Sequence, residues 1–255
     1  MTGPAATPPF PLIASHRGGA RLWPENSRLA FERTAALPVD LVEFDVQRTR
    51  DGVLVVFHDA RLDRVTDATG FLAERRWDEL RQVTLLGTGG DRILTLDEVI
   101  DIFRPTAVDL RLEIKPGPDL LPYPGIEAEI ASALSGAGML ARTQVTSFRL
   151  ASIEAFAAAA PPGRGLLWLI GRPVDRLIGD DGRLWALARD AGADQVGLEI
   201  GALTPERIAS ARAAGLAPGS FATHTESEIR KAHALSVAVF TTDRPDLALR
   251  LRDGG

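Results

Sequence analysis

The sequence predicts an α/β protein folded as a (β/α)8 TIM barrel, and three observations carry that expectation. Short apolar strand patterns alternate with helical patterns along the whole chain, the repeat of a parallel sheet built from βα units. The 255 residues match the roughly 250 at which such barrels form a single domain. Charged side chains recur at alternate positions inside two of the strand patterns, where a barrel offers a lumen to hold them.

Strands are expected near residues 11–15, 40–47, 108–115, 142–147, 165–169, 194–198, 216–222 and 236–241. Helices are expected over 27–36, 96–103, 125–136, 149–159, 183–191, 205–214 and 226–235, with a short last one after Pro245. Thr95 with Glu98 three residues later reads as a capping box, and Thr204 precedes Pro205 at a first helical position. Gly136, Gly138, Gly192 and Gly215 fall where helices end in a left-handed cap. Asp51-Gly52 marks a hairpin turn. The stretch at about 59–92, with a helical piece near Trp77, is too long for a βα loop. It is expected to be a small insertion after the second strand, over one mouth of a single-domain barrel spanning 1–255.

Composition narrows the function. Hydrophobic residues make up 45% and charged residues 25%, as in ordinary globular proteins. No run approaches the roughly 18 apolar residues of a membrane span. The absence of cysteine excludes disulfides, thiolate metal sites and a cysteine nucleophile. A net charge of −5 lacks the basic field of a nucleic-acid binder. The first residues lack the basic and apolar regions of a signal peptide, so cytoplasm is the expected location. No feature of the sequence specifies an oligomeric state. Among 29 basic residues only Lys115 and Lys231 are lysine.

Within the second strand, period-2 alternation puts Glu43, Asp45 and Gln47 on one face and Val42, Phe44 and Val46 on the other. The helix-facing side must be apolar, so the carboxylates point into the lumen. In the next strand Arg111, Glu113 and Lys115 alternate with Leu110, Leu112 and Ile114 in the same way. Glu43, Asp45 and Glu113 would then converge near the C-terminal mouth, where barrel enzymes keep their sites. Two readings of that cluster stand side by side. A divalent cation would relieve the repulsion, and all-oxygen ligands favour Mg2+ or Ca2+. Alternatively, the acids pair with Arg17, Arg111 and Lys115 in an internal salt-bridge network. His16 ends the first strand and His58 follows the hairpin, so both leave on the side of the acids. A strand-end histidine is often structural, but two beside a cation suit a general acid/base pair.

Residues 16–70 carry, in order, His16-Arg17-Gly18, Pro24-Glu25-Asn26-Ser27, Glu43-Phe44-Asp45-Val46, Asp51-Gly52, His58-Asp59, Leu62-Asp63-Arg64-Val65-Thr66 and Gly70. With these motifs the segment resembles the glycerophosphodiester phosphodiesterase family. Leu112-Glu113-Ile114-Lys115, Ser147-Phe148 and Thr242-Asp243-Arg244-Pro245 continue the resemblance in order, so it covers essentially the whole chain. It implies a barrel enzyme that cleaves glycerophosphodiesters to sn-glycerol 3-phosphate and an alcohol. It further implies one divalent cation, Mg2+ or Ca2+, on Glu43, Asp45 and Glu113. His16 and His58 would be the acid/base pair, with His16 expected as base and His58 as acid, while Arg17 and Lys115 hold phosphate oxygens. Glu25 and Asn26 are read as helix-start residues, because asparagine is a favoured cap.

The chain departs from the family at three places. Phe221-Ala222-Thr223-His224 stands where the family carries Trp-Thr-Val-Asn, so Phe221 offers an apolar substrate wall without an indole donor. His224 would either touch a substrate head group or lie on the surface. Arg111 replaces a smaller polar residue and would weaken cation binding if it paired with Glu43 or Asp45. Ala238-Val239-Phe240 replaces an Asp-Gly-containing stretch. Lys231 and His233 are expected to be solvated. Two other functions compete: a lysophospholipid head-group-cleaving phosphodiesterase, for which Phe10, Leu12, Leu22, Trp23 and Phe71 are candidate apolar rim, and a non-catalytic glycerophosphodiester-binding barrel.

Overall fold

The computed structural model of the protein describes residues 9–161, 163 and 165–254. Its elements follow in order β1 (Leu12–His16), α1 (Arg28–Ala35), β2 (Leu41–Arg48), β3 (Leu54–Val56), α2 (Trp77–Leu80), β4 (Leu94–Thr95), α3 (Leu96–Phe103) and β5 (Asp109–Ile114). Then come α4 (Ile126–Gly136), β6 (Thr143–Ser147), α5 (Leu150–Ala159), β7 (Gly165–Ile170), α6 (Arg172–Ile178) and α7 (Asp181–Asp190). The chain ends with β8 (Gln195–Glu199), α8 (Pro205–Ala213), β9 (Ala217–Phe221), α9 (Glu226–Ala234), β10 (Val239–Thr242) and α10 (Pro245–Arg252). Strands β1, β2 and β5 to β10 run parallel, and β1 pairs with both β2 and β10, which closes the eight-stranded barrel. The predicted fold class is therefore the observed one.

Two apolar layers hold it. Outside the strands, Val42, Phe44 and Val46 pack with Phe31 of α1 and Phe103 of α3 in the main core. Phe31 meets Phe44 at 6.0 Å and Phe103 at 5.9 Å between ring centroids, both edge-on. Fully buried there, Phe31→Ala should cost about 3–5 kcal/mol. The check is a lowered urea midpoint at unchanged slope. Inside the barrel, Ala14, Leu41, Leu167, Leu169 and Val239 fill the lumen below the charged layer.

Register places that charged layer. Glu43 is level with His16 on one side and Arg111 on the other, and Asp45 is level with Glu113. Above the rim, β2 continues into an antiparallel pairing with β3, which in turn pairs with β4. The turn between β2 and β3 uses Gly52 at φ 91°, and Asp51 accepts hydrogen bonds from Thr49 Oγ1 and Trp77 N. Val55, Phe57, Leu62, Leu72, Leu80, Leu85 and Ile93 gather into a separate small core under the excursion that follows.

Local expectations fare unevenly. Thr95 forms its capping box with Glu98, and Thr204 caps α8. Gly138, Gly192 and Gly215 adopt positive φ after helices, but Gly136 is the last residue of α4 itself. Helix α6 lies where no helix was expected. It is seven residues long and fully buries none of them: Val174 and Ile178 pack partly on the core and Leu177 is 86% exposed, so a single apolar turn is all that marks it. Among the described residues no helix is long and apolar enough to cross a membrane. The signal-peptide expectation is read from residues 1–19, of which 1–8 lie outside the described ones.

Candidate active site

The acids converge as their alternation requires. Glu43, Asp45 and Glu113 are all buried, and one oxygen from each lies within 4.8 Å of the others. Burial and the neighbouring Asp45 push the Glu43 carboxyl up to about 7, against the charge of His16 and with Glu113 adding to the rise. Asp45 goes the other way: burial would raise it, but Lys115 and Arg17 hold it far below the usual carboxylate range.

The lumen cations divide. Lys115 Nζ lies 2.5 Å from Glu113 Oε1 and 3.0 Å from Asp45 Oδ1. Arg17, in a left-handed turn at φ 48°, sets Nε 3.2 Å from Asp45 and donates from Nη1 to Glu25 at 2.9 Å. Its backbone N–H donates to Glu43 at 3.1 Å. Arg111 is different. It is 1% exposed, and neither terminal guanidinium nitrogen has a hydrogen-bond partner among the described residues. Burial draws its pKa down to about 10 against the pull of Glu43 and Glu113. The salt-bridge reading thus holds for Lys115 and Arg17 but not for Arg111.

Each histidine has its own carboxylate. His16 Nδ1 lies 2.5 Å from Asp243 Oδ1, which turns Nε2 toward Glu43, 3.8 Å away. Burial lowers the His16 pKa, but Glu43 and Asp243 together raise it above the ordinary value. His58 Nδ1 lies 2.6 Å from Asp59 Oδ1. Burial, with Lys115 and Arg17, lowers the His58 pKa despite Asp45. Arg64 grips Asp59 at 2.6 Å and Glu25 at 2.7 Å, linking the His58 support to Arg17. Gln47 Nε2 donates to the carbonyls of Phe57 and Asp59, which flank His58, at 2.9 and 2.8 Å.

Part of this charged layer lines one cavity of about 260 Å³ at the C-terminal mouth, while the fully buried Asp45 is not among its walls. His16, Arg17, Glu43, Arg111, Glu113 and Lys115 form its polar side, and His58 reaches in from the rim. Phe148 and Phe221, edge-on at 5.4 Å, form an apolar lip. The hollow thus sets cations and acids beside an apolar wall.

Comparison with known proteins settles the lineage. The family model described as the glycerophosphoryl diester phosphodiesterase family matches residues 16–247. The chain belongs to this family. A glycerophosphodiester phosphodiesterase of Caldanaerobacter subterraneus is 35% identical over 63% of this chain and 68% of that protein. One from Bacillus altitudinis is 27% identical over 94% of this chain and 98% of that one. A crystal structure from Agrobacterium tumefaciens, named for the same activity, superposes with a TM-score of 0.92 at 38% identity, covering 96% and 98% of the two chains. An Oleispira antarctica phosphodiesterase solved with its product sn-glycerol-3-phosphate shares the fold at a TM-score of 0.75 and 21% identity, over 96% and 98%.

Within this phosphodiesterase family member, several expectations need revision. Asn26 is not a helix cap; Ser27 caps α1 by accepting from Ala30 N. Asn26 instead holds a left-handed φ of 53° and donates Nδ2 to Asp45 at 2.9 Å, so it orients an acid of the site. Glu25 likewise joins the site through Arg17 and Arg64. Phe10 and Leu12 lie at the opposite, N-terminal end of β1, far from the mouth, so they form no rim. Lys231 is half-buried and donates to the Ile200 carbonyl, while His233 packs on Phe10 at 4.8 Å. Neither is simply solvated. Asp243 and Asp59, the partners of the two histidines, carried no role in the sequence reading beyond their place in motifs.

Proposed function

We propose that the protein hydrolyses glycerophosphodiesters to sn-glycerol 3-phosphate and an alcohol, aided by one divalent cation, Mg2+ or Ca2+, held by Glu43, Asp45 and Glu113. The observation that carries this reading is the buried acid triad with a carboxylate-backed histidine on either side. The donor set fits a hard cation: three buried carboxylates, and an Asp45 Oδ1 that has no hydrogen-bond partner among the described residues although Lys115 Nζ is 3.0 Å away. When bound, such a cation supplies charge neutralisation to the phosphoryl oxygens.

The chain's own groups do the rest. Arg17 and Lys115 present positive charge to the remaining phosphoryl oxygens. One histidine takes a proton from the attacking hydroxyl, and the other delivers one to the departing alcohol. Asp243 and Asp59 each hold an imidazole by its Nδ1, which leaves Nε2 to exchange the proton. Phe221 and Phe148 shield the carbon skeleton from water. The attacking hydroxyl is either the substrate's own glycerol 2-hydroxyl, giving a cyclic phosphate that water opens, or water itself.

The test is release of sn-glycerol 3-phosphate from glycerophosphocholine and glycerophosphoethanolamine, with EDTA and then with Mg2+ or Ca2+ restored. Turnover that ignores chelation rejects the cation's part, and absence of turnover under every cation rejects the reaction. Glu43 adds a pH signature. Its proton, held up to about pH 7, must leave for a cation to bind, so affinity rises as pH climbs through about 7 and then levels off. Calorimetry below that pH, in buffers of different ionisation enthalpy, should count about one proton released per cation.

One observation supports a second reading. A hollow lined by Phe71, Pro116 and Leu120 shares His58 and Lys115 with the main cavity, and Leu120 and Leu121 are 66% and 58% exposed. Such a rim suits the acyl chain of a lysophospholipid. Faster cleavage of lysophosphatidylcholine than of glycerophosphocholine would favour it.

A further inference from the structure

His224 is held more firmly than a surface side chain. Ala222, left-handed at φ 54°, turns the chain out of β9, and Thr223 is fully buried behind it. Glu228 Oε2 accepts from the backbone N–H groups of both His224 and Thr225. The imidazole itself accepts: Asp243 N donates to His224 Nδ1 at 3.0 Å. An Nδ1 that accepts a backbone hydrogen bond carries no proton, so the neutral ring must carry it on Nε2. Burial, His16 and Arg21 favour that neutral form over the attraction of Asp243. With Nδ1 occupied, the free N–H belongs to the cavity that His224 lines.

Strand order locates this donor relative to the charged end. Around the barrel, β9 lies opposite β5, which carries Glu113 and leads into Lys115. His16 sits between these ends, with its ring centroid 6.2 Å from that of His224. A substrate whose phosphorus rests among the acids and Lys115 therefore extends toward His224. A neutral N–H donates to any oxygen acceptor, but the phosphoryl oxygens are already met by Arg17 and Lys115, so the acceptor left for His224 lies on the organic part of the substrate. Choline and ethanolamine head groups are cationic and offer none next to nitrogen, whereas the glycerol moiety offers free hydroxyls.

We propose that His224 is the residue that selects glycerol, donating from Nε2 to a free glycerol hydroxyl; the inference rests on the phosphodiesterase reading above. His224→Asn and His224→Gln test it. Asparagine is the family's residue here, but beside a tryptophan whose indole donor Phe221 lacks; in this chain it can keep the acceptor for Asp243 N without the distal donor, and glutamine can restore that donor. The measured quantity is the ratio of kcat/KM for glycerophosphocholine to that for bis(4-nitrophenyl) phosphate, which has no hydroxyl. His224→Asn should lower the ratio about 3–10-fold, the scale of one neutral hydrogen bond, and His224→Gln should recover part of it. An unchanged ratio in His224→Asn overturns the proposal. Calorimetric binding of sn-glycerol 3-phosphate against inorganic phosphate decides the matter independently of turnover. Weaker binding of the first alone supports it, and an equal change or no change in both overturns it. No cleavage of glycerophosphocholine by the wild-type protein, with the selective binding loss still seen in His224→Asn, would defeat the proposed reaction and leave the role of His224 standing.

Discussion

His16→Ala and His58→Ala should each lower kcat on glycerophosphocholine by about 10²–10⁴-fold, the usual contribution of a positioned acid or base. Both rings sit at the cavity with Nδ1 tied to a carboxylate, His16 to Asp243 and His58 to Asp59, so neither is spare. A leaving group that needs no proton separates the two jobs. With 4-nitrophenol as the departing alcohol, the variant that lacks the acid should recover most of its loss, and the variant that lacks the base should not. The sequence expectation makes His58 the acid. Recovery in both variants, or in neither, contradicts a division of labour between the histidines. Circular dichroism on each variant guards against simple unfolding.

Asp45→Asn should weaken divalent-cation binding by more than the roughly 10–100-fold that accompanies loss of an outer-sphere partner. Asp45 is the hub of the charged layer: Arg17 Nε at 3.2 Å, Lys115 Nζ at 3.0 Å and Asn26 Nδ2 at 2.9 Å all converge on it. An amide in its place cannot neutralise those cations and is a poorer ligand. Stability should also fall, by about 1–3 kcal/mol, because the cations keep only Glu25 and Glu113. Glu113→Gln serves as the companion variant, with the affinity loss expected again. Calorimetric titration with Mg2+ and Ca2+ is the measurement, and unchanged affinity in both variants contradicts the assignment of the ligands.

The barrel was legible because its strands and helices impose different periods on the same apolar alphabet. Glu43, Asp45 and Glu113 could be aimed into the lumen from alternation alone, since one face of each strand had to be apolar. Helix α6 was not legible, because its seven residues hold one apolar turn, Val174 and Ile178, too short to set a period. Asn26 was misjudged for a local reason: asparagine favours caps and left-handed turns alike, and only tertiary contact with Asp45 distinguishes them. The partnership of His16 with Asp243 joins residues 227 apart, a distance over which spacing carries no information. Arg111 shows the opposite limit. Alternation placed it in the lumen correctly, but whether it paired with an acid depended on ångström-scale positions, and it pairs with none among the described residues.

The coordination of a hard ion by three lumen acids can be seen directly. A crystal of the protein soaked in Mn2+, a stand-in for Mg2+ with a usable anomalous signal, should give one strong anomalous peak at the mouth of the barrel. The account places it within about 2.0–2.6 Å of one oxygen each from Glu43, Asp45 and Glu113. A peak bound elsewhere, or Lys115 still seated on Asp45 and Glu113 with no peak between the acids at saturating Mn2+, would contradict it.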